Sequence, residues 1–157
     1  MAVEFSPETL KRFEEIVSRY PKKEAAMLPV LYLAQGEFGY LGSEAIEYVA
    51  KLMGLSPARV YGVVTFYTML NMKPVGKHHI QVCRTLSCAL AGAEKITELL
   101  RAKLGIRAGE TTPDGRFTLS EVECLASCGT GPMMQINDDY YENLSNEKIE
   151  EILRSLK

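Results

Sequence analysis

The sequence is poor in the features that mark several common classes of protein. It has no tryptophan, two histidines and four cysteines in 157 residues, and four cysteines are too few for a disulfide scaffold in so long a chain. Its formal net charge of −2 indicates no basic surface for nucleic acid or anionic lipid. The longest apolar run, residues 25–34, contains Pro29 and is shorter than the ~20 residues that span a bilayer. We therefore expect no nucleic-acid partner and no direct membrane insertion.

The first residues also lack a targeting signal. MAVEFSPETL has neither the basic start and apolar stretch of a secretory signal nor the Arg- and Ser-rich composition of a transit peptide. With 46% hydrophobic and 24% charged residues, the composition is that of a folded globular protein. We expect a cytoplasmic protein of a prokaryote, and a processed organellar protein is the alternative. In a reducing compartment the cysteines remain thiols.

Helix signals dominate residues 1–75, which we predict to form a helical N-terminal domain. Ser6 is a capping residue, and Pro7 after it suits the first position of a helix. A second helix is predicted from Glu24 to Gln35, with Gly36 as its end. Comparable starts precede two more helices, at Ser43 and at Ser56.

The pattern changes to an α/β arrangement in residues 76–157. Strands are predicted at 78–83 and 117–124, a helix at 88–104, a hairpin of strands 133–137 and 140–142 around Asp138-Asp139, and a last helix after Ser145. A strand–helix–strand unit followed by a hairpin and a helix is typical of one mixed sheet with helices packed on it.

The four cysteines form two pairs, each of which begins at the end of a predicted strand. Arg-Thr-Leu-Ser separates Cys83 from Cys88, and Leu-Ala-Ser separates Cys124 from Cys128. Two strands that end at the same edge of a sheet can bring two loops together, and four thiolates from such loops would be a complete ligand set for a metal centre. A single cysteine is about as often a small buried apolar residue, but that explanation is weak for four cysteines in pairs.

Several kinds of thiol site remain open at this point. A thiol–disulfide oxidoreductase would need Cys-x-x-Cys at a helix start, which neither pair has. Structural zinc usually has about two to four residues between paired cysteines. The four residues between Cys83 and Cys88 are at that limit, so a zinc-stapled interaction module is the second hypothesis. A Rieske centre needs two histidines on one iron, whereas His78 and His79 are adjacent in one predicted strand and point to opposite faces.

A two-iron cluster is the hypothesis that the wide spacing favours. Such a cluster with four thiolates carries a net negative charge, which an added electron increases, so its reduction potential is expected to be low. Arg84 is expected to supply a positive charge nearby. The N–H groups of the second loop are expected to be free to donate to sulfur, namely those of Ser127, Gly129, Thr130 and Gly131.

Residues 123–138, Glu-Cys-Leu-Ala-Ser-Cys-Gly-Thr-Gly-Pro-Met-Met-Gln-Ile-Asn-Asp, resemble a segment of a known family. That segment is the second cluster-binding stretch of the small [2Fe-2S] subunit of NADH:quinone oxidoreductase, the NuoE type of respiratory complex I. Residues 65–76 and 79–83 are similar to the family's run into its first ligand pair, and residues 26–39 to its helical N-terminal part.

The resemblance implies a thioredoxin-like second domain with one low-potential [2Fe-2S] cluster on Cys83, Cys88, Cys124 and Cys128. The chain would be an electron-transfer subunit without a catalytic residue or a complete active site of its own. It would exchange single electrons with the FMN of a partner flavoprotein subunit that also binds NADH. It would contact other peripheral-arm subunits at the inner face of the prokaryotic cell membrane. An equivalent diaphorase subunit of an NAD-linked hydrogenase or formate dehydrogenase is the alternative.

An apolar segment lies at the joint between the two predicted domains. It contains Phe66, Tyr67, Met69, Leu70 and Met72. We expect these side chains to pack the N-terminal helices onto the sheet, because most such residues belong to a core, and a docking surface for the flavoprotein subunit is the alternative.

Overall fold

The chain divides into two compact units between Pro74 and Val75, and the computed structural model describes residues 3–156. In the described part of the first unit, four α-helices follow one another: α1 Pro7–Ser18, α2 Met27–Phe38, α3 Ser43–Met53 and α4 Pro57–Phe66. Across residues 3–156, no helix is both long enough and apolar enough to cross a bilayer.

Helix α1 begins where the sequence places a cap. The Ser6 Oγ accepts a hydrogen bond from the Thr9 N–H at 3.2 Å, and Pro7 occupies the first helical position. The four helices bury one apolar core, whose members include Phe13, Val30, Leu31, Leu41, Val49, Val60 and Val64. This core holds the first unit together.

The end of α2 differs from the prediction. Gly36 is an exposed residue inside the helix, which continues to Phe38. Gly39 is the C-cap, with a φ of 80°, and its N–H donates to the Gln35 carbonyl at 2.8 Å. The prediction that Gly36 ends the helix is wrong, because Gly39 takes the positive φ that ends the helix.

The Glu37 carboxylate joins α2 to the start of α1. It accepts hydrogen bonds from the Ser6 N–H at 3.0 Å and from the Thr9 Oγ1 at 2.8 Å. The backbone hydrogen bond from Ser6 and then the hydroxyl of Thr9 lower the pKa of Glu37 below its ordinary value of 4.5. The ionised form is therefore favoured in the folded state, and its stabilisation is complete above that ordinary value and lost as the pH falls through the lowered pKa.

We expect Glu37→Gln to lower the stability of the first unit at neutral pH and to have little effect at low pH. Thermal unfolding at about pH 7 and about pH 3 measures this difference. Glu14→Gln, which removes an exposed carboxylate of α1, is the matched control. A Glu37→Gln deficit that is the same at both pH values would contradict this role.

The second unit contains a mixed sheet. Its described strands are β1 His78–Cys83, β2 Phe117–Val122, β3 Met134–Ile136 and β4 Asp139–Tyr141. They lie in the order β2-β1-β3-β4, with β1 parallel to β2 and antiparallel to β3. The α/β fold with a mixed sheet is confirmed. The β3–β4 hairpin is also confirmed, but its turn is Asn137-Asp138, because Asn137 adopts the positive φ of 53°.

The helices of the second unit lie at α5 Leu86–Leu90, α6 Ala93–Leu104 and α7 Asn146–Ser155. The single helix predicted at 88–104 is therefore wrong. Gly92, with a φ of 98°, separates α5 from α6, because a left-handed residue cannot continue a right-handed helix. Helices α6 and α7 share the apolar core of the sheet, which includes Ile80, Ile96, Leu100, Leu119, Met134, Ile149 and Ile152.

The apolar segment at residues 66–72 divides between core and surface. Leu70 is buried in the core of the first unit, and Tyr67 and Met72 pack against that core. Phe66 is 76% exposed, and Met69 is also exposed. Leu70 is therefore a core residue of the first unit, whereas Phe66 and Met69 are surface residues.

Candidate metal centre

Both cysteine pairs lie at the carboxyl ends of the two neighbouring parallel strands. Cys83 is the last residue of β1, and it is in register with Val122, the last residue of β2. Cys88 lies in α5. The stretch of residues 124–131, called the second cysteine loop below, begins with Cys124 and includes a short 3-10 turn that starts at Cys128. Parallel strands in register end at one edge of a sheet, so both pairs begin at the same edge.

The four thiols differ in burial. Cys83 and Cys88 are each 2% exposed, whereas Cys124 and Cys128 are exposed. An explanation of the cysteines as small apolar core residues thus fits the first pair alone. Exposed thiols contribute nothing to a core, so the second pair requires another explanation.

Hydrogen bonds surround the sulfur of Cys83. Its Sγ lies 3.3 Å from the Thr85 Oγ1. Burial raises the pKa of the Cys83 thiol, but the Thr85 hydroxyl and backbone hydrogen bonds from Leu125 and Thr85 outweigh it, so the pKa lies below its ordinary value. A depressed pKa favours the thiolate, which is the form that binds metal. The bond from Leu125 also brings the second cysteine loop against Cys83.

The thiol of Cys88 is held in its neutral form. Burial raises its pKa, and so do its hydrogen bond with Cys83 and the proximity of Cys83 and Cys128. Like charges disfavour a second thiolate beside the first. A metal ion reverses this preference, since coordination deprotonates a thiol.

The second cysteine loop carries its own backbone donor. The Ala126 N–H donates to the Cys124 Sγ at 3.3 Å, and Ala126 adopts a φ of 62°. The Thr130 N–H is not free for sulfur, contrary to the prediction, because it donates to the Ser127 carbonyl at 3.2 Å. The backbone of Gly131 passes beside the first pair, where an added Cβ would lie 3.4 Å from the Cys88 Sγ.

The structure brings two of the four predicted site residues into direct contact and places a third close to one of them. Cys83 and Cys88 are hydrogen-bonded, and Cys128 is close enough to raise the pKa of Cys88. Cys124 interacts with its own loop. Among residues 3–156, no group of three or more His, Cys, Asp or Glu side chains is arranged to hold a metal ion. As a donor set, four free thiols at one sheet edge suit a soft metal or an iron–sulfur cluster.

Arg84 has a partner that the sequence did not indicate. Its guanidinium donates through Nε at 3.0 Å and Nη2 at 2.7 Å to the Glu123 Oε1, and both side chains are exposed. The hydrogen bond and charge of Glu123 raise the pKa of Arg84. Because Arg84 follows Cys83 and Glu123 precedes Cys124, the pair links the two cysteine segments. The positive charge of Arg84, which we expected to lie near a cluster, is largely compensated by Glu123.

The histidines lie away from the cysteines. The His78 ring lies 5.4 Å from the Phe117 ring, centroid to centroid, in a tilted arrangement, and the His79 Nε2 contacts the Ser120 Oγ at 2.8 Å. Burial lowers the pKa of His79. Both residues are at the start of β1, whereas Cys83 is at its end, so neither completes the cysteine site.

A mixed four-stranded sheet with cysteine pairs at the carboxyl ends of β1 and β2 defines a thioredoxin-like domain with a thiol-rich site. The family model "Thioredoxin-like [2Fe-2S] ferredoxin" matches residues 13–157. The chain therefore belongs to the thioredoxin-like [2Fe-2S] ferredoxin family.

Two relatives narrow the family to a particular kind of subunit. The chain is 48% identical to the E subunit of the NADH-quinone oxidoreductase of Rickettsia conorii over 156 residues, which are 98% of this chain and 93% of that protein. It is 43% identical to the E 2 subunit of the same enzyme of Rhizobium meliloti, over 94% of this chain and 88% of that protein.

A solved structure shares the fold. A chain of an NAD+-reducing [NiFe]-hydrogenase in the air-oxidized state matches with a TM-score of 0.73 and 20% identity, over 83% of this chain and 22% of that one. At this identity the likeness concerns the fold alone.

Proposed function

We propose that this chain is the electron-transfer subunit of an NADH:quinone oxidoreductase and holds one low-potential [2Fe-2S] cluster. The observation that carries the proposal is the placement of both cysteine pairs at one edge of the sheet, in a chain of the thioredoxin-like [2Fe-2S] ferredoxin family. The proposed ligands are Cys83, Cys88, Cys124 and Cys128. When bound, such a cluster accepts and returns one electron at a time.

The chain's own groups bind and orient rather than catalyse. The backbone of Leu125 and the hydroxyl and backbone of Thr85 hydrogen-bond Cys83, and the backbone of Met133 hydrogen-bonds Cys88. Donors to thiolate sulfur stabilise its negative charge. No proton is transferred in one-electron exchange, so we assign no general acid or base to this chain.

A low potential follows from the charges around the site. Arg84 is paired with Glu123, and the Glu142 carboxylate contacts the hydroxyls of Ser127 and Thr130. Arg84 is therefore not a free cation that could compensate the charge of an added electron. The negative side chain of Glu142 also lies close to Cys128. Both features disfavour reduction.

The proposed partner is a flavoprotein subunit that binds FMN and NADH, with which the cluster exchanges single electrons. Other peripheral-arm subunits complete the assembly at the inner face of the cell membrane. The names of the relatives at 43% and 48% identity favour this complex over a diaphorase of an NAD-linked hydrogenase or formate dehydrogenase. The hydrogenase likeness, at 20% identity, supports the alternative by its fold alone.

Electron exchange is tested by mixing this protein anaerobically with the flavoprotein subunit and NADH. The proposal predicts that the visible absorption of this protein bleaches partly when all three are present. NADH without the flavoprotein subunit is expected to leave it unchanged. Bleaching by NADH alone, or no bleaching with all three, would contradict the proposed role.

An exposed apolar face beside Cys88 supports a docked partner. Leu86 and Leu90 lie one turn apart on α5 and are 75% and 82% exposed. Electron exchange requires close approach, and the flavoprotein subunit is the proposed occupant of this face. We expect Leu90→Glu to weaken association with the flavoprotein subunit by about tenfold while the visible spectrum stays unchanged.

Titration of the flavoprotein subunit, followed by calorimetry, measures this association. Tyr61→Glu, a matched exchange of an exposed apolar residue on α4, is expected to bind normally. Equal affinity of Leu90→Glu and wild type would exclude this face.

A further inference from the structure

Glu142 reaches the second cysteine loop from the end of the β3–β4 hairpin. The Thr130 Oγ1 donates to the Glu142 Oε1 at 2.6 Å, and the Ser127 Oγ donates to the same oxygen. The two hydroxyl oxygens are 2.8 Å apart. Ser127 directly precedes Cys128, and Thr130 closes the 3-10 turn that Cys128 begins. The two hydroxyls that contact the carboxylate therefore flank Cys128.

The chemistry of these groups requires a hydrogen-bond acceptor at this position. An ionised carboxylate only accepts hydrogen bonds, and one of its oxygens can accept two. Ser127 and Thr130 can therefore each donate their single hydroxyl proton to Glu142. Hydrogen bonds to an ionised acceptor are stronger than those between neutral groups. All three side chains are partly buried, so water competes less for these bonds.

Glu142 is itself fixed to the sheet. It follows β4, which pairs with β3, and β3 pairs with β1, the strand that ends at Cys83. The adjacent backbone reinforces the connection, because the Asn143 N–H donates to the Thr130 carbonyl at 2.7 Å and the Leu144 N–H donates to the Pro132 carbonyl at 3.0 Å. Glu142 thus connects the second cysteine loop, through β4 and β3, to β1, the strand that carries Cys83.

We propose that Glu142 is the positioning residue of the second cysteine loop, whose bonds to Ser127 and Thr130 hold Cys128 in place for ligation. This inference rests on the proposed function in so far as Cys128 is a ligand. Glu142 acts through the two hydroxyls and does not itself contact the metal centre.

The test compares Glu142→Ala, Glu142→Gln and the control Asp138→Asn in the full-length protein as purified. Asp138 is an exposed carboxylate in the turn of the same hairpin. Hydrogen exchange of the amides in residues 127–131 and the rate of iron release to a chelator are measured for each variant. For Glu142→Ala we expect both rates to rise about tenfold. Glu142→Gln keeps an acceptor oxygen and is expected to stay within about threefold of wild type, and the control is expected to match wild type.

A double variant tests the same contacts by removing the hydrogen-bond donors instead of the acceptor. The double change of Ser127→Ala and Thr130→Val removes the hydroxyls without altering the hairpin. Its effect on amide exchange is expected to equal that of Glu142→Ala, and the combination of all three changes is expected to add nothing further. Additive effects, or exchange in Glu142→Ala no faster than in the control, would overturn the proposal.

The two proposals fail in different ways. A wild-type protein without iron would contradict the proposed function, yet amide exchange would still decide whether Glu142 positions the loop. Normal iron release together with unchanged amide exchange in Glu142→Ala would overturn the positioning role and leave the cluster proposal intact.

Discussion

Cys124→Ser is expected to abolish or strongly alter the visible absorption of the protein while the chain remains folded. The Cys124 side chain is exposed, so replacing its sulfur by oxygen removes no core packing. A loss of colour then reports the loss of a ligand rather than of the fold. Visible absorption, iron content and far-ultraviolet circular dichroism of the variant are the measurements.

Two further variants complete the Cys124→Ser experiment. Ser87→Ala changes an exposed side chain between the first two cysteines and is expected to leave iron content and absorption at the wild-type level. Cys88→Ser is expected to lose the colour and also some stability, because Cys88 is 2% exposed. Full iron content with an unchanged spectrum in Cys124→Ser would remove Cys124 from the ligand set.

Gly76→Ala is expected to destabilise the second unit by about 2–3 kcal/mol, as overpacking of a filled site does. An added Cβ at Gly76 would lie 2.8 Å from the carbonyl carbon of Phe117 and 2.9 Å from that of Arg116. These are backbone atoms at the start of β2, so they cannot turn aside as a flexible side chain can. The N–H of Gly76 also donates to the Thr118 Oγ1 at 2.6 Å, which fixes the close approach.

Urea unfolding of the full chain measures the Gly76→Ala effect, with Gly62→Ala as the control. Gly62 is an exposed residue of α4 with no heavy atom within 4 Å of an added Cβ. Its replacement is expected to stabilise the protein by about 0.5–1 kcal/mol, since alanine is the better helix former. A Gly76→Ala variant as stable as wild type would contradict the packing described at β2.

Elements with local signals could be predicted from the sequence. Ser6 and Pro7 predict the start of α1, because a cap and a proline act on the residues next to them. The cysteine pairs and the strands before them predict a shared site, because neighbouring parallel strands end at one edge. The end of α2 could not be predicted, because either Gly36 or Gly39 could end the helix. Only the structure shows that Gly39 is the one that adopts a positive φ.

The contacts around the cysteines depend on strand register and could not be predicted. Arg84 meets Glu123 because Cys83 and Val122 are in register across β1 and β2. Glu142 meets Ser127 because the β3–β4 hairpin folds back beside the second cysteine loop. Neither pair lies close in sequence, so no periodicity or spacing marks it. The resemblance to a known family implies that the cysteines are cluster ligands, and the structure adds the charged side chains around them.

The most direct test of the cysteine site is the visible spectrum of the purified protein, oxidised and then reduced by dithionite, with iron and zinc measured on the same sample. We predict a red-brown protein that bleaches partly on reduction and holds about two irons per chain. A colourless protein with about one zinc per chain, unchanged after anaerobic preparation, would contradict electron transfer and make the four cysteines a structural zinc site.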